Sequence, residues 1–395
     1  MKSLHIAMFG QKGAPATWGG VEQHVHHLSK QLTEQGHTVL VYAREHYVSK
    51  DKAREFTQQY PGIRVVFTPT LRTKHFDTII ATFFGVMHSL FVVRPDVYHF
   101  HSVGPSLLAF LPRIFAPRAR VISTFHTADR LHAKWGVFAR FMLTLGERAA
   151  LSFPHQTIVV SRELQEYSES AYNKIAWYIP NGVEIPSEKH SSETLAAFNL
   201  SPHNYAVIVN RLVAHKGVHY AIEAWKRLDT DKKLVIVGDA ALGTEQYVRD
   251  LKDLSADDPR IVFTGFQTGR ALQQLYANAY MSIHPSDSEG LSISLLEAAS
   301  FGKGIIASNI PANVEIVQYG GYFFDKGNVD GLAQQCAFAL KNPHLLKVAG
   351  RAVREHVSLQ YNWKNIARSV SGLYTRGGIN EQSFELHEAY DPAVQ

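Results

Sequence analysis

Two glutamates, Glu289 and Glu297, stand eight positions apart in the stretch SEGLSISLLEAASFGKG, residues 288–304. The preceding IHPSDSEG leaves a strand, and ISLLEAASFG reads as a helix that Gly302 closes. The first carboxylate therefore belongs to a loop, and the second lies about a turn inside the helix. The first backbone N–H groups of a helix have no intrahelical acceptor, so those around Leu291, Ser292 and Ile293 can hold an anion. Glu297 can accept hydrogen bonds from a vicinal diol, and Glu289 can reach a different part of the same ligand. The spacing works as a ruler: one carboxylate for a ribose, amides for a phosphate, another carboxylate for a further sugar. A Glu297 that merely faces solvent fits the helix as well.

A second constellation is NRLVAHKG, residues 210–217, which follows a strand and opens a helix. Arg211 offers a rigid fork to phosphate oxygens and Lys216 a compact point charge, with the positive end of a helix beside them. Together they suit a diphosphate; two basic side chains turned to solvent is the plainer reading. Other candidates carry less. DTD at 229–231 lies between a helix and KKLVIVG and reads as a polar connector. His24, His26 and His27 share a helix, but His26 diverges from the other two and no carboxylate or cysteine completes a zinc set, so no metal is expected. His99 and His101 share a strand face and read as core histidines, with a place lining the cleft as the alternative. The first loop lacks the G-x-G-x-x-G order of a nicotinamide dehydrogenase, and no nucleic-acid module is recognisable.

The elements that must position these groups come twice. LHIAMFG (4–10), QKGAPATWGG (11–20) and a run with Val21, Val25, Leu28 and Leu32 on one face lead to Gly36 and the strand HTVLVYA (37–43). YAVIVN (205–210), RLVAHKG, a helix through Trp225 to Leu228, and KLVIVGD (233–239) repeat the order. Further strands are expected at 95–102, 120–126, 156–161, 260–266, 279–286 and 304–308. Strands alternating with helices predict an α/β fold of two doubly wound parallel-sheet domains, with ligands taken beyond the carboxyl ends of the strands in a shared cleft. YIPNGVEIP (178–186) is the turn-prone connector, which gives domains at 1–183 and 184–360, with a helix at about 360–375 packing back on the first. Residues 376–395 lose periodicity and read as a tail.

With 395 residues, two cores are the natural expectation. Cys336 is the single cysteine, which excludes an intrachain disulfide and suits a reducing cytoplasm. The start MKSLHIAMFG reads as a strand and not as a signal peptide. The apolar run IIATFFGVMHSLFVV (79–93) is shorter than the roughly 20 residues of a spanning helix. It reads as a buried helix, with a membrane-touching one as the alternative. Residues 1–180 carry a net +8 and the remainder −3, an asymmetry that suits phosphate-bearing substrate or an anionic membrane surface, or simply a solvated basic face.

SEGLSISLLEA followed by GKGIIASNIPANVEIV resembles the Glu, seven residues, Glu signature of retaining, nucleotide-sugar-dependent glycosyltransferases of family four, which have the GT-B fold. GGVEQHV (19–25), TFHTADR (124–130), IPNGV (179–183), NRLVAHKG and VFTGF (262–266) match in order, so the resemblance reaches about residue 375. KGAPATWGGVEQHV and AKW (133–135) look most like the bacterial branch that builds surface polysaccharide, including rhamnosyl- and glucosyltransferase-like members. The resemblance implies that Arg211 and Lys216 bind the donor diphosphate, Glu297 the ribose, and the backbone near Phe266 and Gln267 the base. It gives Glu289 and the 291–293 amides to the sugar and phosphate, His126 to the donor sugar near the reacting carbon, and Gly19 and Gly20 to close approach of the first loop. No metal or other cofactor is implied; the partners are a nucleotide sugar and a glycan or polyprenyl-linked acceptor. Asn210, Thr127, Gly304 and Pro311-Ala312 depart from the pattern and leave the donor sugar open. A nucleotide-sugar epimerase of similar architecture, or a transferase-like binding protein without turnover, are the rivals.

Overall fold

The computed structural model describes residues 2–16, 19–71, 77–128, 137–186, 191–241 and 243–375, with backbone only at 137–139. Thr17, Trp18, Asp129, Arg130, the AKW of 133–135 and the tail 376–395 lie outside the described residues. The chain divides into two units, Met1–Gly182 with Trp363–Gln395, and Val183–Asn362.

The first unit is a seven-stranded sheet. Its strands are β1 (His5–Phe9), β2 (Thr38–Ala43), β3 (Ile63–Phe67), β4 (Val97–His101), β5 (Arg120–Phe125), β6 (Gln156–Val159) and β7 (Trp177–Tyr178), in spatial order 3-2-1-4-5-6-7. Every pairing is parallel, as in β1 on β4, where Ile6 faces Val97 and Phe9 faces Phe100. The interior strands read as unbroken apolar runs because helices cover both sheet faces. On one face Val25, Leu28 and Leu32 of the helix Gly20–Glu34 pack with Ile366, Val370 and Leu373 of the helix Trp363–Tyr374. On the other, Val86 and Leu90 pack over Phe9, Tyr42, Tyr98 and Phe100.

The second unit has six strands: β8 (Tyr205–Val209), β9 (Lys233–Val237), β10 (Ile261–Gly265), β11 (Met281–His284), β12 (Gly304–Ser308) and β13 (Tyr322–Phe324), in order 10-9-8-11-12-13 and again all parallel. Trp225, fully buried, and Ile222 anchor the helix Val218–Lys226 on this sheet. In both sheets the winding reverses between two neighbours, β1 and β4 in one and β8 and β11 in the other. That is where connecting loops splay apart and leave a crevice for ligand. Asp229 to Asp231 are irregular backbone between the helix Val218–Lys226 and β9, and the Thr230 carbonyl accepts from Arg260.

The run 79–93 departs from a simple buried helix. It forms a helix Asp77–His88 and a π-turn Ser89–Val93. Ala81, Val86, Ser89 and Leu90 are buried, whereas Phe83, Phe84, Phe91 (66% exposed) and Val92 (70%) face outward. Periodicity could not reveal this, because the run is apolar on every face.

Candidate functional site

The loop after β8 and the loop after β11 are fastened together at the switch point of the second unit. Asp287 N–H donates to the His215 carbonyl at 2.9 Å. Gly217 has φ +66°, and a Cβ there would stand 2.0 Å from the Pro285 carbonyl oxygen, so only glycine lets the loops approach this closely. The two loops bring Lys216 and Glu289 together: Lys216 Nζ lies 2.5 Å from Glu289 Oε1, both side chains nearly buried. His284 Nε2, at the end of β11, is 3.1 Å from the same oxygen and 3.3 Å from Ser286 Oγ. Burial alone would push the Glu289 carboxyl up, but the Lys216 charge and the bonds from His284 and Lys216 outweigh it and hold the group well below the usual carboxylate range. Burial draws Lys216 down and Glu289 pulls it back. Arg211, in contrast, is exposed and has no ion-pair partner among the described residues. Among the described residues the site thus presents one neutralised cation–carboxylate pair and one cation without an ion-pair partner.

The next helix runs Ile293–Ser300, with Ser292 as its N-cap accepting from the Leu295 N–H at 3.3 Å. Leu291 therefore precedes the cap and Ile293 is the first helical residue. The opening turn aims its remaining N–H groups outward and carries the positive end of the helix dipole. Ser294 Oγ ties this turn to Asn210 Oδ1 at 3.3 Å, while the buried Asn210 Nδ2 has no partner among the described residues. Asn210 was read only as a departure from pattern; the structure makes it a strut between β8 and the helix. Glu297 is the fifth helical residue and half-buried. Burial pushes it up to about 7, against the pull of the Tyr276 hydroxyl. Phe266 and Gln267 follow β10, with β9 and β8 between it and β11: Phe266 is 41% exposed, and Gln267 Nε2 donates to the Thr264 carbonyl at 2.8 Å.

Glu297 gives a pH prediction. A carboxyl with a pKa of about 7 is roughly one-tenth ionised at pH 6 and nine-tenths at pH 8. If it accepts from ribose hydroxyls, calorimetric affinity for a nucleoside diphosphate rises up to about tenfold across that window in the wild type, beyond the rise in Glu297→Gln. Ionisation of the ligand itself is common to both proteins and cancels. Equal slopes would remove Glu297 from the site.

In the first unit the switch point lies between β1 and β4. Gly19 has φ +88°, and a Cβ there would meet Glu22 Oε2 at 2.4 Å; Gly20 begins the helix Gly20–Glu34. Glu22 Oε1 accepts from the Lys12 N–H at 3.0 Å and so braces the loop between β1 and that helix. His126 follows β5 and is 7% exposed, its Nε2 3.2 Å from Nδ1 of the fully buried His101. His99 is buried too, held by Tyr374 and Thr124. The histidine grouping differs from the sequence order: His26 and His27 stack aside with Phe56 and Trp363, while His24 turns inward to His101 and His126. Strand-to-helix proximity of this kind has no signature in sequence spacing.

Residues 18–185 match the model described as Glycosyltransferase Family 4, and residues 193–356 match Glycosyl transferases group 1. The chain is a two-domain glycosyltransferase. The transferase is 26% identical over 412 residues to a glycogen synthase of Mycobacterium tuberculosis, covering 94% of each chain. It is 22% identical over 373 residues to N-acetyl-alpha-D-glucosaminyl L-malate synthase of Bacillus anthracis, covering 88% of this chain and 91% of that one. Its fold matches Anabaena Alr3699/HepE, solved in complex with UDP and glucose, at a TM-score of 0.77 and 19% identity, over 93% of this chain and 98% of that one. The two Rossmann-like parallel sheets are those of the GT-B class.

Proposed function

We propose that the transferase moves a sugar, with retention at the anomeric carbon, from a nucleoside diphosphate to a hydroxyl of a glycan or polyprenyl-linked glycan in surface-polysaccharide assembly. The observation that carries this reading is the exposed Arg211 beside the buried Lys216–Glu289 pair at the carboxyl ends of β8 and β11. The domain 184–360 takes the donor and the domain 1–183 the acceptor. Arg211, Lys216 and the 291–293 amides receive the diphosphate, Glu297 the ribose, Phe266 and Gln267 the base, and Glu289 and His126 the sugar, with Gly19 and Gly20 admitting the phosphates. The bond from the anomeric carbon to the phosphate oxygen breaks as the acceptor oxygen bonds to that carbon on the same face. The acceptor proton passes to the departing phosphate. Charge on the leaving group is stabilised by preorganised cations and amides, so the step asks for no metal. The HepE complex with UDP and glucose supports a nucleoside-diphosphate donor.

The test is a panel of UDP-, GDP- and dTDP-sugars. One nucleotide class should raise the melting temperature, by an amount set by its concentration over its dissociation constant. With a saccharide acceptor, the donor should be consumed and a retained linkage formed. No stabilisation by any of the three overturns the reading. Conversion of the sugar nucleotide without acceptor would reveal an epimerase, and stabilisation without turnover a binding protein.

A polyprenyl-linked acceptor needs an enzyme at a membrane, and the first unit offers a surface for one, on the inner face of the cell membrane. The exposed Phe83, Phe84, Phe91 and Val92 flank the same core as the helix Phe110–Phe115, which exposes Ile114 and Phe115 beside Arg113. No described helix is long and apolar enough to cross a bilayer, so contact would be peripheral. Apolar anchors with basic neighbours in a +8 half suit anionic lipid. Binding to phosphatidylglycerol vesicles should be clear at 0.05 M salt, on the order of tenfold weaker at 0.5 M, and absent on neutral vesicles. Binding that ignores salt, or none, assigns a soluble acceptor.

A further inference from the structure

We infer that His24, His101 and His126 form a binding site for a divalent first-row metal ion, Zn²⁺ by the chemistry of the donors. One ring nitrogen from each of the three lies within 4.8 Å of those of the others. His101 Nδ1 and His126 Nε2 are 3.2 Å apart, close to the edge of about 3.4 Å that a tetrahedron of 2.0–2.1 Å Zn–N bonds requires. A small shift of the rings, with the bond from His24 to Asn181 kept, closes the remaining gap. His24 is already set as a ligand: its Nδ1 lies 2.9 Å from Asn181 Oδ1, so the proton sits on Nδ1 and the lone pair on Nε2. That arrangement, an imidazole whose far N–H is fixed by an oxygen acceptor, is the usual support of a metal-bound histidine.

The second observation is what His24 lacks. Its Nε2 is buried without a hydrogen-bond partner among the described residues, on a side chain 1% exposed whose ring packs edge-on against His101 and His126. Buried polar atoms are rarely left unsatisfied, and one aimed at two further ring nitrogens calls for a species that takes lone pairs. Three nitrogens with no carboxylate suit zinc more than magnesium or calcium, and leave a fourth position for water. His126, the least enclosed of the three, is the way in. All four elements involved belong to the first unit: the helix Gly20–Glu34, β4, the residue after β5, and Asn181 before the unit boundary.

The inference does not rest on the transferase reading, although His126 belongs to both, and its test reads metal and not turnover. Full-length protein freed of metal by chelator and dialysis is titrated with Zn²⁺ by calorimetry, and with Co²⁺ while the visible spectrum is recorded. The expected result is one tight equivalent of zinc, and the intense ligand-field bands of four-coordinate cobalt. His101→Ala should abolish both. Asn181→Ala, which keeps all three ligands, should weaken zinc on the order of 10- to 100-fold. Circular dichroism melts of the metal-free variants show whether each is folded; should His101→Ala not fold, His24→Gln is read in its place. Zinc uptake unchanged by these substitutions belongs to surface histidines and overturns the site. So does cobalt that stays six-coordinate.

Discussion

Replacing Arg211 and Lys216 together by alanine should remove most of the affinity for a nucleoside diphosphate and lower turnover by at least about 10²–10³-fold. The two single variants should fail differently, because the residues stand in different surroundings. Arg211 is exposed and has no ion-pair partner among the described residues, so its loss takes only the fork from the phosphate and leaves the melting temperature within about a degree or two. Lys216 holds the buried Glu289. Removing it leaves the carboxylate in a desolvated site with only His284 beside it, a cost of up to about 3–5 kcal/mol before any ligand is considered. Lys216→Ala should therefore lose both stability and binding. Adding Glu289→Gln to it restores much of the stability, since no charge is then stranded, while binding stays weak. Thermal melts and calorimetric titration with UDP, GDP and dTDP on the four proteins separate the terms. Full affinity in the Arg211→Ala, Lys216→Ala protein would take the diphosphate away from this loop.

The contrast between these two residues marks where sequence reading stops. Both are basic and five positions apart, and either could face solvent on spacing alone. What separates them is Gly217, whose positive φ presses the loop onto Pro285 and carries Lys216 to Glu289 across 73 positions of chain. A local pattern shows a glycine after a lysine; it does not show which carbonyl that glycine makes room for. The central strands were legible because parallel strands buried on both faces are continuous apolar runs. β3, β7 and β13 were passed over, being short or mixed: Ile63–Phe67 includes Arg64, and Trp177–Tyr178 is two residues long at a sheet edge. The helix of Glu297 was visible from its alanines and Gly302, and its start falls at Ile293 as the sequence reading has it, with Ser292 as the cap. The inward turn of His24 was invisible for a plainer reason. It depends on which strand ends lie under the helix, and that is topology, not pattern.

Glu289→Gln should separate turnover from binding more sharply than any other single change. The substitution keeps the shape and the acceptor oxygen but deletes a charge that the surroundings hold ionised well below the usual carboxylate range. Lys216 then loses its counter-charge and turns its full field to the ligand, so affinity for the nucleoside diphosphate should stay level or tighten. The transition state behaves oppositely. As the bond to phosphate lengthens the sugar ring gains positive charge, and in a dry site a fixed carboxylate beside it is worth several kcal/mol. Turnover should fall by about 10²-fold or more with KM little changed, the signature of an interaction made only in the transition state. A group held ionised so far below neutrality also adds no inflection of its own, so the wild-type rate should show no acid limb from Glu289 between pH 5 and pH 8. Initial rates and titrations on the two proteins decide it: equal rates would strip Glu289 of any part in the chemistry, and parallel losses of rate and affinity would reduce it to a support for Lys216.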